Sequence, residues 1–91
     1  MKIDKCVRES MEKKKGMRCD AHWKTKVSGN KVRVQHYDTD LLEINVNTKR
    51  VKRAVGFESQ SDKRAVSKIL DEIGVYKGEV HEVNAEIGHR F

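Results

Sequence analysis

The sequence predicts an α+β domain: a four-stranded antiparallel meander packed by one amphipathic helix, with an additional N-terminal helix and a C-terminal strand or tail. Three observations predict it. Apolar and polar residues alternate from Trp23 to Phe57, the period of half-buried strands. Between Ser59 and Ile73 the period lengthens to that of a helix. Two turn signals, Ser28-Gly29-Asn30 and Asn47-Thr48, divide the alternating stretch into paired segments. The chain has 91 residues, enough for a single domain, 1–91, with one modest core. It has no proline, and no linker or internal repeat divides it.

The elements follow in order. MKIDKCVRESMEKKKG, residues 1–16, reads as a helix, because Ile3, Cys6, Val7, Ser10 and Met11 recur on one face. Lys13, Lys14 and Lys15 favour the negative end of its dipole, and Gly16 fits a C′ position. The sheet is expected over 22–57. Trp23, Thr25 and Val27 alternate with His22, Lys24 and Lys26, then Val32, Val34 and His36 with Lys31, Arg33, Gln35 and Tyr37, giving one hairpin. Leu42, Ile44 and Val46, followed by Val51, Val55 and Phe57, give a second. The apolar side of these strands needs a cover. The helix over 60–73 supplies it through Val66, Ile69, Leu70 and Ile73. Ser59 and Asp62 have capping-box spacing, and Gly74 can close the helix. Residues 75–91 are read as a strand near Val75 and an irregular or helical tail.

Charge is unevenly placed. The net charge is +6. Met1 to Gly56 carries fifteen Lys/Arg against seven Asp/Glu, whereas Phe57 to Phe91 carries five against seven. On the strands, the residues of polar parity are Lys24, Lys26, Lys31, Arg33, Gln35, Tyr37, Glu43, Asn45, Arg50 and Lys52, six basic and one acidic. Such a face suits the phosphate backbone of DNA or RNA, whose counterions it would release. The candidate nucleic-acid-binding residues are therefore Lys24, Lys26, Lys31, Arg33, Tyr37, Arg50 and Lys52. Parity sets Trp23 on the other side, so the expectation is phosphate-led contact of low specificity rather than base stacking. The competing reading is that these cations solubilise the sheet and discourage edge pairing.

HYDTD, residues 36–40, places His36, Asp38 and Asp40 on the parity of the core residues Val34 and Leu42. Two buried carboxylates without partners are costly. The chain is therefore expected to turn or bulge here, with His36 at the sheet end near an aspartate. The alternative is a divalent-metal site of nuclease type on His36, Asp38 and Asp40. Cys19-x-x-His22 could add ligands, but zinc sites need four at familiar spacing. No HExxH, phosphate loop or nucleophile elbow is present. No catalytic residue, cofactor or metal is assigned.

No apolar run approaches the ~20 residues that span a bilayer, and the first ten residues lack the apolar core of a signal peptide. An intracellular, cytoplasmic protein with no membrane partner is expected, with Cys6 and Cys19 as reduced thiols.

KVRVQHYDTDLLEINVNTKRV followed by GFESQSDKRAVSKIL resembles a group of small proteins of phages and other mobile elements. Their pattern is a strand, His-x-Thr-Asp, a second strand, a hairpin turn, Gly-aromatic-x-Ser/Thr and a basic helix. The matching residues are His36, Thr39, Asp40, Gly56, Phe57, Ser59, Ser61, Lys63 and Arg64. Two residues separate His36 from Thr39 where the pattern has one, and the helix lacks the Asn common near its middle. The resemblance covers about the middle half of the chain. It implies a small sheet-plus-helix fold of viral or mobile-element origin, and it carries no activity.

Three functions compete. The first is an accessory protein that binds nucleic acid weakly through the basic sheet face. The second is a protein-interaction module, a homodimer or a partner-binding adaptor, docking through GEVHEVNAEIGHRF. The third is a metal-dependent nuclease.

Overall fold

A computed structural model describes residues 2–37, 39–55, 59–75 and 79–84. The order is α1 (Ile3–Lys13), β1 (Trp23–Ser28), β2 (Lys31–His36), β3 (Thr39–Asn45), β4 (Val51–Val55), α2 (Gln60–Ile73) and β5 (Val80–Asn84). β1 to β4 form the expected antiparallel meander. β5 joins it beside β4, in parallel, after the crossover through α2. Part of the C-terminal segment expected to dock on a partner thus pairs within its own sheet, and the strand begins five residues beyond Val75. Residues 85–91 lie outside the described residues, as do Phe57 and Asp38.

Both helices cover one face of the sheet. Val7 and Met11 of α1 and Val66, Ile69 and Leu70 of α2 pack with Val32, Val34, Leu42, Ile44 and Val51 into one core. Burying a side chain of this size contributes about 1.5–3 kcal/mol before the entropy of ordering is subtracted. Arg8 of α1 bonds Glu72 of α2 at 2.8 Å across the helix pair. No helix among the described residues is long and apolar enough to cross a membrane.

The ends of α2 follow from local chemistry. Ser59 Oγ accepts from the Asp62 amide at 3.2 Å, and Asp62 Oδ2 accepts from the Ser59 amide at 3.1 Å, completing the capping box. Gly74 takes a left-handed φ of 76° at the other end. α1 ends earlier than expected, because Lys14 rather than Gly16 is its left-handed cap. Gly16 has another role. A Cβ there would meet the Thr25 carbonyl oxygen at 3.0 Å, so glycine permits close approach to β1.

That approach matters because β1 is an edge strand. The segment after α1 runs along it: Met17 accepts from the Thr25 amide at 2.7 Å, and the Cys19 amide donates to Trp23 at 2.9 Å. An open row of strand hydrogen-bonding groups invites pairing with other chains, and this segment occupies part of that row. Two devices hold it in place. One is buried and polar: Ser10 Oγ, 2.8 Å from Thr25 Oγ1, also donates to the Lys15 carbonyl at 2.6 Å, and Thr25 Oγ1 accepts from the Met17 amide at 2.8 Å. The other is covalent. Cys6 of α1 is disulfide-bonded to Cys19, with Cα atoms 5.8 Å apart. The expectation of two reduced thiols is corrected. Spacing does not reveal the pairing, because it is made by folding the edge segment back towards α1.

Candidate functional site

HYDTD is a bulge. Val34 pairs with Leu42 but Gln35 pairs with Asp40, so Leu41 is the extra residue in β3. One inserted residue reverses the parity of what precedes it. Asp40 therefore moves to the face opposite the helices, beside its cross-strand partner Gln35. The sequence predicts the bulge but not its consequence for the basic face. Asp40 is buried, accepts a hydrogen bond from Gln35 Nε2, and lies 3.4 Å from Arg33. Arg33 also reaches buried Glu43 at 3.2 Å, and Lys31 reaches Glu43 at 3.4 Å. Two of the candidate nucleic-acid contacts, Lys31 and Arg33, thus neutralise carboxylates of their own sheet.

His36 and Asp40 do not converge. His36 pairs with Trp23 on the helix-covered face, and its Nδ1 lies 2.7 Å from Asp62 Oδ1. Cys19, bound in the disulfide, has no thiolate to offer. Among the described residues, no group of three His, Cys, Asp or Glu side chains could hold a metal ion.

The remaining candidates fall in two places. At one end, Lys31, Lys49, Arg50, Lys52 and His81 line a concavity of about 940 Å³, together with Glu43 and Glu79. It forms around the β3–β4 turn, where Asn45 Oδ1 accepts from the Asn47 and Thr48 amides and Lys49 takes a φ of 62°. Arg50 lies just before β4 rather than in it, and Lys52 is paired with Glu43 across the strands.

At the other end, a concavity of about 720 Å³ follows the β1 edge. Arg18, Lys24 and Lys26 line it with His22, Trp23 and Tyr37, and Asp20 is its one carboxylate among the described residues. Tyr37 is not on the strand face that alternation assigns to it. β2 stops at His36, and Tyr37 takes a left-handed φ of 52°, held by its amide donating to the His22 carbonyl at 3.0 Å. That conformation is uncommon for a bulky residue. It swings the ring beside residues from the start of β1. Trp23 and His36 stack at 4.2 Å and 10°, Tyr37 lies 4.5 Å from His36, and His22 stacks on Tyr37 at 4.3 Å and 24°. Trp23 and Tyr37, assigned to opposite sides by parity, join one chain of four rings.

Asp20 fixes the approach to these rings. Its Oδ1 accepts from the His22 amide at 2.7 Å and the Trp23 amide at 3.0 Å. The His22 hydrogen bond is the main reason its carboxyl is held below the ordinary 3.8. Sequence alternation sets His22 with Lys24 and Lys26 without assigning it to the site, and it misses Arg18 and Asp20. The available signal is the loop DAHW, an Asx-turn residue followed by two rings.

No family model matches the chain, and no curated protein or solved structure matches it.

Proposed function

We propose that this domain binds nucleic acid through its phosphates, with low sequence preference, and that Arg18, Lys24 and Lys26 are the primary contacts. The observation that carries the reading is their gathering along one open concavity, where Asp20 is the one carboxylate among the described residues. Cations concentrated in this way neutralise phosphates and release counterions. Arg50 and Lys52, in the second concavity, extend the footprint. Lys31 and Arg33 are not among the residues that line the β1-edge concavity, and Glu43 and Asp40 engage them. No catalytic residue is assigned.

An accessory role in a phage or other mobile element rests on the resemblance around His36, Thr39, Asp40 and Ser59. A cytoplasmic setting would suit a nucleic-acid partner, whereas the Cys6–Cys19 bond suits an oxidising one. Alkylation of the protein as it leaves its own cell, read by mass, distinguishes the two.

The test is binding to labelled single-stranded and double-stranded DNA and RNA at about 50 and 200 mM salt. Affinity is expected to fall by orders of magnitude over that range. Lys26→Glu and Arg18→Glu are expected to weaken binding to every sequence. Each should also make the salt slope shallower by about one for every phosphate no longer neutralised. Absence of binding at the lower salt, or binding indifferent to salt, would overturn the reading.

A further inference from the structure

We infer that the His22–Tyr37 ring pair is a stacking platform for an unpaired nucleobase, which makes single-stranded nucleic acid the preferred substrate. This rests on the phosphate-binding reading above and adds to it the part of the ligand that the rings recognise.

Tyr37 is 64% exposed, the one large hydrophobic side chain so placed among the described residues. It owes that position to a left-handed backbone that a bulky residue rarely adopts. Conformations of this kind persist only where surrounding structure imposes them, and they cluster at binding sites. Here the imposing contacts are visible: the amide bond to His22 and the rings of His22 and His36 against Tyr37. Behind them, Trp23 stacks on His36, and His36 is fixed by Asp62. The exposed pair is therefore backed by half-buried rings rather than by mobile loop.

The surroundings determine what would stack there. A flat ring pair accepts any base, because every base has a π-face. The base arrives with a phosphate, and Arg18, Lys24 and Lys26 share the concavity with the rings. Aromatic platforms beside a cationic track are how single strands are held without sequence readout. A duplex cannot use the platform, since its bases are already stacked on one another. It can use only the cations.

The experiment exploits the single tryptophan of the chain. Trp23 lines the same concavity, so its emission reports occupancy there and is silent to contacts at Lys52. The full chain is titrated with oligothymidylate and, separately, with a duplex of equal length, following fluorescein anisotropy and Trp23 emission together. The expected result is tighter binding of the single strand, with a larger Trp23 change at saturation than the duplex produces. Tyr37→Ala should weaken single-strand binding by about 5- to 150-fold, the equivalent of one stacked base, and leave duplex binding unchanged. Tyr37→Gly should do the same with thermal stability no lower than that of Tyr37→Ala, because glycine accepts the positive φ at no steric cost. It therefore separates recognition from folding.

If both ligands bind equally, or Tyr37→Ala leaves single-strand affinity unchanged, the platform is overturned while phosphate binding stands. If neither ligand binds, both readings fall.

Discussion

His36 Nδ1 lies 2.7 Å from Asp62 Oδ1, so the last residue of β2 holds the first turn of α2. Both groups are largely withdrawn from water. A proton on Nδ1 gives Asp62 Oδ1 the partner that it otherwise lacks, while Oδ2 caps the Ser59 amide. One carboxylate thus closes a helix end and anchors the ring stack. Asp62→Ala removes one of the two capping-box hydrogen bonds, which alone should cost about 0.5–1.5 kcal/mol. In a double-mutant cycle by urea denaturation, His36→Phe and Asp62→Ala should couple by more than ~0.5 kcal/mol. Additive effects would mean that the contact contributes nothing to stability.

Arg33 separates a structural cation from a binding one. Asp40 is 1% exposed and Glu43 is 6% exposed at the side chain, and both lean on a guanidinium that is 35% exposed. Removing one partner of a buried pair leaves the other charge uncompensated. Arg33→Ala should destabilise by about 2–3 kcal/mol, at or below the lower end for buried pairs because water reaches Arg33. Lys26→Ala, at an exposed position, should stay within about 0.5 kcal/mol. Urea midpoints of the two variants check this. Equal midpoints would return Arg33 to the basic binding face.

What can be read from the sequence divides along a physical line. The α2 cap, Gly74 and both hairpin turns depend on neighbours in the chain, so their residues announce them. Gly29 even takes the positive φ that two-residue hairpin loops favour. The bulge is legible too, because Asp38 and Asp40 at core parity demand relief. Its register is not. Inserting Leu41 moves Asp40 onto the basic face, and a parity count carries such a one-residue error along the strand. Tyr37 is misplaced by alternation because left-handed backbone leaves no pattern at a tyrosine. The Cys6–Cys19 bond, Gly16 against Thr25 and the ring stack all join segments whose meeting is decided by tertiary packing.

The disulfide should be a major support of the β1 edge. It closes a loop between positions separated by 13 residues, for which chain entropy alone gives about 3 kcal/mol. Reduction, or Cys6→Ser with Cys19→Ser, should lower the urea midpoint accordingly. Amide exchange at Cys19 and Thr25 should accelerate before that of the core strands, since each of these hydrogen bonds joins β1 to the freed segment. Uniform loss of protection would show that the edge segment and the core open together.

Gly16→Ala sets two small effects against each other. Alanine restricts the unfolded chain, worth about 0.4–1 kcal/mol in favour of folding. Its Cβ, however, would press the Thr25 carbonyl oxygen at 3.0 Å, and that oxygen belongs to backbone already fixed in the sheet. Overpacking of this sort costs about 1–3 kcal/mol. The cost should win, giving net destabilisation of about 1 kcal/mol by urea denaturation. A stabilised variant would show that the segment can move away from β1.

Asp20 links the site to pH. Its carboxyl is held below 3.8, first by the His22 amide, then by the Trp23 amide and the nearby His22 and His36 rings, against a desolvation effect of opposite sign. A folded value below the unfolded one means that the charged form favours the native state. The contribution is full above the unfolded value and is lost as pH falls through the folded one. A carboxyl carbon NMR titration should therefore place the Asp20 midpoint below 3.8. Asp20→Asn keeps an oxygen for both amides but removes the charge, so stability should fall less steeply below pH ~4. The same substitution removes a carboxylate from among the cations of the concavity. At neutral pH it should tighten binding of an anionic strand while leaving Trp23 emission of the free protein unchanged. Weaker binding would show that the carboxylate itself takes part in recognition, as an acceptor for base amino groups.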